Sequence, residues 1–391
     1  MITALEAIKE KEGRDNALIH YAIAGDFFPG MPDDKLGAQI KEVLTKGWDS
    51  KASAIDDYIA RCQPMLRQMR AGAELNHASP IRPLASDTPI ANMMAMAMSV
   101  KLLCVEGRKL ESDGQTTEAI RCYCSALRIG RDFTVPGQPN IVWLLGLSFI
   151  NSAVRQAARL VDSGSVTPGE LENLLKELKQ VEGTMGSVLE AFVAERVCWD
   201  RKIADLNIAP EGIVASSETG QISESELRGM LEGAVAGAKP QWDLGLEYLQ
   251  KPYATANTLS VTKELDTVRK KIPEKDRYLS NFLSPMDFAE EQARWMAAKS
   301  RLLQCEILVA LQLYRATSGE FPKDLADLSP KYFSEVPVDP FTGHRFQYSP
   351  SLNPAQRRVR GSGPSVNPGS GTVDFDPTNG AVSEGEVRIL E

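Results

Sequence analysis

Apolar residues recur at helical spacing along most of this chain. In "SAIDDYIARCQPMLRQMRAG" they fall at Ile55, Ile59, Leu66 and Met69, one face of a helix, with Pro64 as an expected interruption. Earlier, "ITALEAIKEKEG" and "GAQIKEVLTKG" each start a helix, and "NHASPIRPLASDTP" reads as a loop. Thr88 and Pro89 carry the cap and first-position signals of a strong helix, "IANMMAMAMSVKLLCVEGRKL". Its Met93, Met94, Met96 and Met98 suit adaptable core packing. Further helices are expected over "TTEAIRCYCSALRIGRDF", from about Asn140, and from Thr167, where Glu170 closes a capping box. The last of these is carried past Gly183 and Gly186 to about Leu206.

Residues 207–222 read as a linker or long loop, and Ser223 with Glu226 as another capping box. Residues 238–284 are weakly periodic and read as irregular segments with short helices. From Pro285 one long helix runs to Gly319. A short helix over 324–328 follows it, and then "EVPVDPFTGHRFQY", which breaks the pattern. There Pro337 and Pro340 stiffen a turn, Asp339 is suited to bonding nearby backbone N–H groups, and Gly343 supplies a positive φ. "RFQY", "RRVRG" and "EVRIL" alternate as short strands, predicting a small antiparallel sheet on the long helix. The fold class expected is mainly α: a helical body over 1–206, the 207–222 linker, a segment over 223–284 packed on the body, and a C-terminal α+β cap over 285–391.

Two resemblances attach to these residues. Gly107, Gly114, Ala119, Tyr123 and Ala126 are spaced as in a single tetratricopeptide unit, with small residues where two helices touch and Gly114 in the turn. Tyr314, Gly319, Pro322, Leu325, Leu328, Tyr332, Val336, Pro337, Asp339, Pro340, Gly343 and Tyr348 form a pattern that resembles the C-terminal half of the major pseudopilins of type II secretion. It is also similar to the ending of a group of bacterial proteins with long helical bodies, which typically carry an N-terminal membrane anchor. A pilin subunit needs an apolar helix before the cap. Glu290, Glu291, Arg294 and Lys299 occupy that place here, so the resemblance implies a shared cap and not a pilus subunit.

The pseudopilin resemblance implies an extracytoplasmic location and a calcium site in the last loop. Asp374, Asp376, Asn379, Glu384 and Glu386 offer oxygen ligands there. Their spacing departs from a standard calcium loop, and an Asx-rich turn is the plainer reading. Without that site no cofactor is expected.

Composition narrows the partners. The chain has 391 residues and a net charge of −8, a poor match for nucleic acid. No signal peptide and no apolar run of membrane-spanning length is visible; "IVWLLGLSFI" reads as a buried helix. The six cysteines include no C-x-x-C and read as buried thiols, which favours a reducing compartment. That conflicts with the resemblance; a periplasmic or envelope location is expected, with a cytoplasmic one as the alternative.

Catalytic patterns are sparse. The three histidines, His20, His77 and His344, have no metal-spaced partner. Ser260 and Lys263 match S-x-x-K without its companion motifs. The reading is a non-enzymatic envelope scaffold or interaction module, with a protein or peptide partner in a helical groove. Its alternatives are a hydrolase whose site assembles from distant residues and a calcium-stabilised envelope module.

Overall fold

The computed structural model describes residues 16–48, 53–80, 92–208, 224–253, 255–283, 288–350, 358–363 and 387–388. Its helices are α1 (Ala17–Ala24), α2 (Asp34–Lys46), α3 (Ser53–Ala73), α4 (Met93–Ser112), α5 (Thr116–Phe133), α6 (Asn140–Asp162), α7 (Pro168–Thr184), α8 (Val188–Ile208), α9 (Glu224–Leu249), α10 (Thr255–Lys271), α11 (Glu274–Leu283) and α12 (Phe288–Ser318). A 3-10 turn (Leu325–Leu328) and three short strands follow: β1 (Gln347–Ser349), β2 (Arg358–Gly361) and β3 (Val387–Arg388). The strands pair antiparallel in the order β1-β2-β3, with Tyr348 opposite Val359 and Arg360 opposite Arg388. The mainly helical class and the small C-terminal sheet match the sequence reading.

Several boundaries differ from it. Pro64 lies inside an unbroken α3. α4 starts at Met93, where the Asn92 side chain accepts from the Ala95 N–H, later than the Thr88–Pro89 signal placed it. Thr167 caps α7 with the expected Glu170 box, but α7 stops at Thr184. Ser187 and Glu190 then form a second capping box that starts α8. Gly186 forces the break. Its N–H donates to the Thr134 carbonyl at 2.8 Å, and a Cβ there would lie 2.5 Å from that oxygen.

The larger correction concerns 238–284, which is helical in α9, α10 and α11 rather than irregular. The apolar face of α9 is built partly from glycine, so its large hydrophobic residues show little periodicity. A Cβ on Gly233 would meet the Asp276 carboxyl at 2.6 Å, and one on Gly237 the Ser280 hydroxyl at 2.4 Å. One on Gly245 would overlap the Phe288 ring at 2.0 Å. The missing side chains let α11 and α12 approach the α9 backbone. Pro240 is tolerated within α9.

Among the described residues two large apolar clusters make most of the interior, with a small one of Met296, Ala297 and Phe341 beside them. The larger joins α1–α7 to Leu302–Leu313 of α12 and to Phe321, Phe333, Phe346 and Val359 of the C-terminal region. The other gathers Trp143 with Phe192, Trp242 and Phe288, and the rings of these last three pack at 4.6–6.3 Å. α6 is the one described helix long and apolar enough to cross a membrane, and 67% of its apolar window is buried inside the protein.

The glycine contacts predict opposite outcomes along one helix. Gly245→Ala overpacks against Phe288 and lowers stability by about 1–3 kcal/mol. Gly229→Ala, with nothing within 4 Å of its added carbon, raises stability by about 0.5–1 kcal/mol through helix propensity. Urea midpoints at unchanged slope measure both.

Candidate functional site

The motif residues of the C-terminal region are braces. Gly319 ends α12 with φ +86°, its N–H donating to the Arg315 carbonyl at 2.8 Å. The Tyr314 ring packs against the larger core. The Pro322 carbonyl accepts from the Tyr348 hydroxyl at 3.0 Å, tying β1 to the segment after α12. Pro337 precedes the bridge between Val338 and Arg345. Asp339 is the centre of the turn and 2% exposed. Its N–H donates to the His344 carbonyl at 2.8 Å, and its carbonyl accepts from Gly343 N–H at 2.7 Å. Its carboxylate accepts from the Phe341 N–H at 3.2 Å and from the Ser362 N–H at 2.7 Å. Pro340 sits second in this turn, the position its fixed φ favours, and Gly343 takes φ +68°. One carboxylate thus closes its own turn and pins it to the residue after β2. Asp374, Asp376, Asn379, Glu384 and Glu386 lie outside the described residues.

Other chemistry-bearing side chains form joints between helices. The Tyr21 hydroxyl donates to Asp132 at 2.7 Å, and Asp132 also pairs with Arg131 at 2.7 Å, so this network ties α1 to α5. Burial pushes the Asp132 carboxyl up to about 6, against Arg131 and Tyr21. Tyr123 and Arg108 both donate to Glu111. Arg128 holds Glu177 through two donors, joining α5 to α7. Five cysteines are buried free thiols and Cys198 is half-buried. Burial pushes Cys122 up to about 11 and Cys124 up to about 12, so neither is poised as a nucleophile.

A strongly perturbed carboxyl is Glu306, in the middle of α12. It is 3% exposed and its Oε1 has no hydrogen-bond partner. Burial pushes it up to about 8; the Glu182 carboxylate adds to the shift, and the Lys179 and Lys299 ammoniums oppose it. Lys299 is paired with Glu182 at 3.1 Å. Lys179 instead donates to the Tyr332 carbonyl and lies 4.5 Å over the Phe333 ring. The group therefore sits where α7, α12 and the loop after the 3-10 turn meet. A neutral carboxyl here can hold a proton, but among the described residues no nucleophile is hydrogen-bonded to its Oε1.

Glu306 and Asp132 were not among the residues singled out from sequence. A lone charge in the apolar run "LLQCEILVAL" is the signal that marks the first; Asp132 continues the buried face of Ile129 and Phe133. The histidines are dispersed: His20 bonds Gln68, the His77 carbonyl accepts from Ala17 N–H, and His344 lies in the Asp339 turn. Ser260 donates to Glu264 at 2.8 Å in place of the lysine that the S-x-x-K reading requires. Among the described residues no group of three or more His, Cys, Asp or Glu is placed to hold a metal ion. Compared with protein families, curated proteins and solved structures, the chain matches none.

Two measurements probe these carboxyls. The folded Glu306 sits near 8, above the ordinary 4.5. Stability is therefore full below about 4.5 and falls as pH rises through about 8, by on the order of a few kcal/mol. Glu306→Gln keeps the shape of the protonated side chain, and its melting temperature should fall less than the parent's between about pH 6 and about pH 9. Asp339→Asn turns one acceptor into a donor facing N–H groups. It should cost about 1–3 kcal/mol, read by thermal melting, with earlier proteolytic cleavage between residues 336 and 363.

Proposed function

We propose that the protein is a helical scaffold that docks a protein partner, carries a pseudopilin-like α+β cap, and works in the cell envelope. The observation that carries the docking reading is a set of apolar side chains left in solvent where the turn after α1 meets the start of α4. Phe27, Met93 and Met94 are 41%, 38% and 57% exposed. A Cβ on Gly25 would lie 3.2 Å from that of Asn92, so the turn bearing Phe27 is seated against the start of α4. Exposed apolar side chains that cluster mark interaction surfaces, and methionine adapts to varied partners.

The α4–α5 hairpin supports the tetratricopeptide-like reading. A Cβ on Gly107 would stand 2.3 Å from the Tyr123 ring, so a small residue is required where these helices touch. The Asp339 turn, the Gly319 helix end and the Tyr348–Pro322 tie support the cap reading, since each places a motif residue at a structural joint. The envelope location rests on the resemblance of the cap.

A photo-crosslinking amino acid at position 94, expressed in cells, tests the docking reading. A discrete heavier adduct is expected there, and none from exposed position 118 on α5. Adding Phe27→Ser should weaken it. An absent adduct, or equal adducts from both positions, rejects the reading.

A further inference from the structure

We propose that Glu306 and the loop over residues 329–334 compete for Lys179, so that loss of the Glu306 proton loosens the C-terminal cap from α7.

The geometry sets up the competition. The loop is held to α7 by Lys179, which donates to the Tyr332 carbonyl and covers the Phe333 ring. Within Coulombic reach of the same ammonium is the Glu306 carboxyl of α12, with one oxygen sealed from solvent and without a hydrogen-bond partner. The charged groups facing Glu306 are Lys179 and Glu182 from α7 and Lys299 from its own helix. α6 presents Asn151 and the Val154 and Val161 carbonyls to α12, none of them titratable. The loop contributes the Tyr332 phenol and Lys331, which is stacked on that ring at 5.0 Å. The sheet meets another face of α12, where β2 packs on Ser300.

While protonated, Glu306 makes no charge demand on its neighbours. Once ionised it is a buried anion, and a buried anion needs a cation close by. Lys299 is already paired with Glu182 at 3.1 Å. Lys179 is held only by a neutral carbonyl and an aromatic face, so it is the ammonium that moves at least cost. A charge-assisted bond to a carboxylate outweighs one to a carbonyl. Its departure removes the loop's hydrogen bond to α7 and leaves Phe333, packed in the larger core, to hold it. Burial pushes Glu306 up to about 8, so the exchange operates in mildly alkaline solution.

Hydrogen–deuterium exchange on the full chain, corrected for intrinsic rates, tests this at about pH 6 and about pH 9.5. The reporters are the Ser329 and Tyr332 amides, bonded to the Ala326 and Leu328 carbonyls at 3.0 and 2.9 Å. Their protection should fall about tenfold or more at the higher pH. Glu306→Gln should stay protected at both values. Lys179→Met, at an exposed position that leaves the core intact, should be unprotected at both. A pH-dependent loss that persists in Glu306→Gln overturns the proposal. So does a Lys179→Met protein as protected at low pH as the parent.

Discussion

The rest of the structure depends on burying α12 from all sides. Its side chains are enclosed almost continuously from Phe288 to Leu313, among them Glu291, Gln292, Arg294, Ser300, Arg301, Gln304, Glu306 and Gln312. A helix enclosed this way normally reads as hydrophobic all round. Several of these polar groups answer to the surface they face, whereas one oxygen each of Gln292 and Glu306 does not. Toward α6, Arg301 reaches Asn151, Cys305 the Val154 carbonyl and Gln312 the Val161 carbonyl. Near the start of the helix, Arg294 pairs with Glu290 and Glu291. Toward the sheet, Ser300 accepts from Gln304 and packs beneath Gly361, where a Cβ would lie 2.7 Å from its hydroxyl. Unmatched buried polar groups cost more than matched ones contribute, so these contacts determine how α6, α7 and the sheet seat on α12.

That arrangement explains which elements were legible in the sequence. α3, α5, α6 and α12 carry long apolar stripes because they pack with large side chains, and periodicity reports such stripes directly. The Asp339 turn was legible because proline, aspartate and glycine act locally, through φ and through bonds to adjacent backbone. α9 was not, since Gly233, Gly237 and Gly245 contribute to its contact face by the absence of a side chain. The break before α8 was encoded in the Ser187–Glu190 box. Without the Thr134 carbonyl against Gly186, the glycines at 183 and 186 read only as weak points within a longer helix.

The chemistry was less legible than the fold for a related reason. A buried carboxyl is defined by what surrounds it. Glu306 stands out in an apolar run, but its perturbation comes from enclosure and from Glu182, which is 124 residues distant in sequence. Asp132 is similarly defined by Tyr21, which lies on α1. Local patterns such as S-x-x-K carry no such information. The Ser260 hydroxyl satisfied by Glu264 shows how readily a spacing match loses its chemistry once neighbours are known.

The two large apolar clusters are mechanically linked, because the same helices enter both. α6 contributes Trp143 and Leu147 to one and Phe149, Ile150 and Val154 to the other. α12 contributes Ala298 to the first of these and Leu302 onward to the second. Adjacent residues on one helix face different interiors, so neither interior can repack without rotating a helix that the other also requires. Close-packed interiors resist such rotation. α12 thus sets Phe288 against Gly245 of α9 in one interior and Ser300 beneath β2 beside the other.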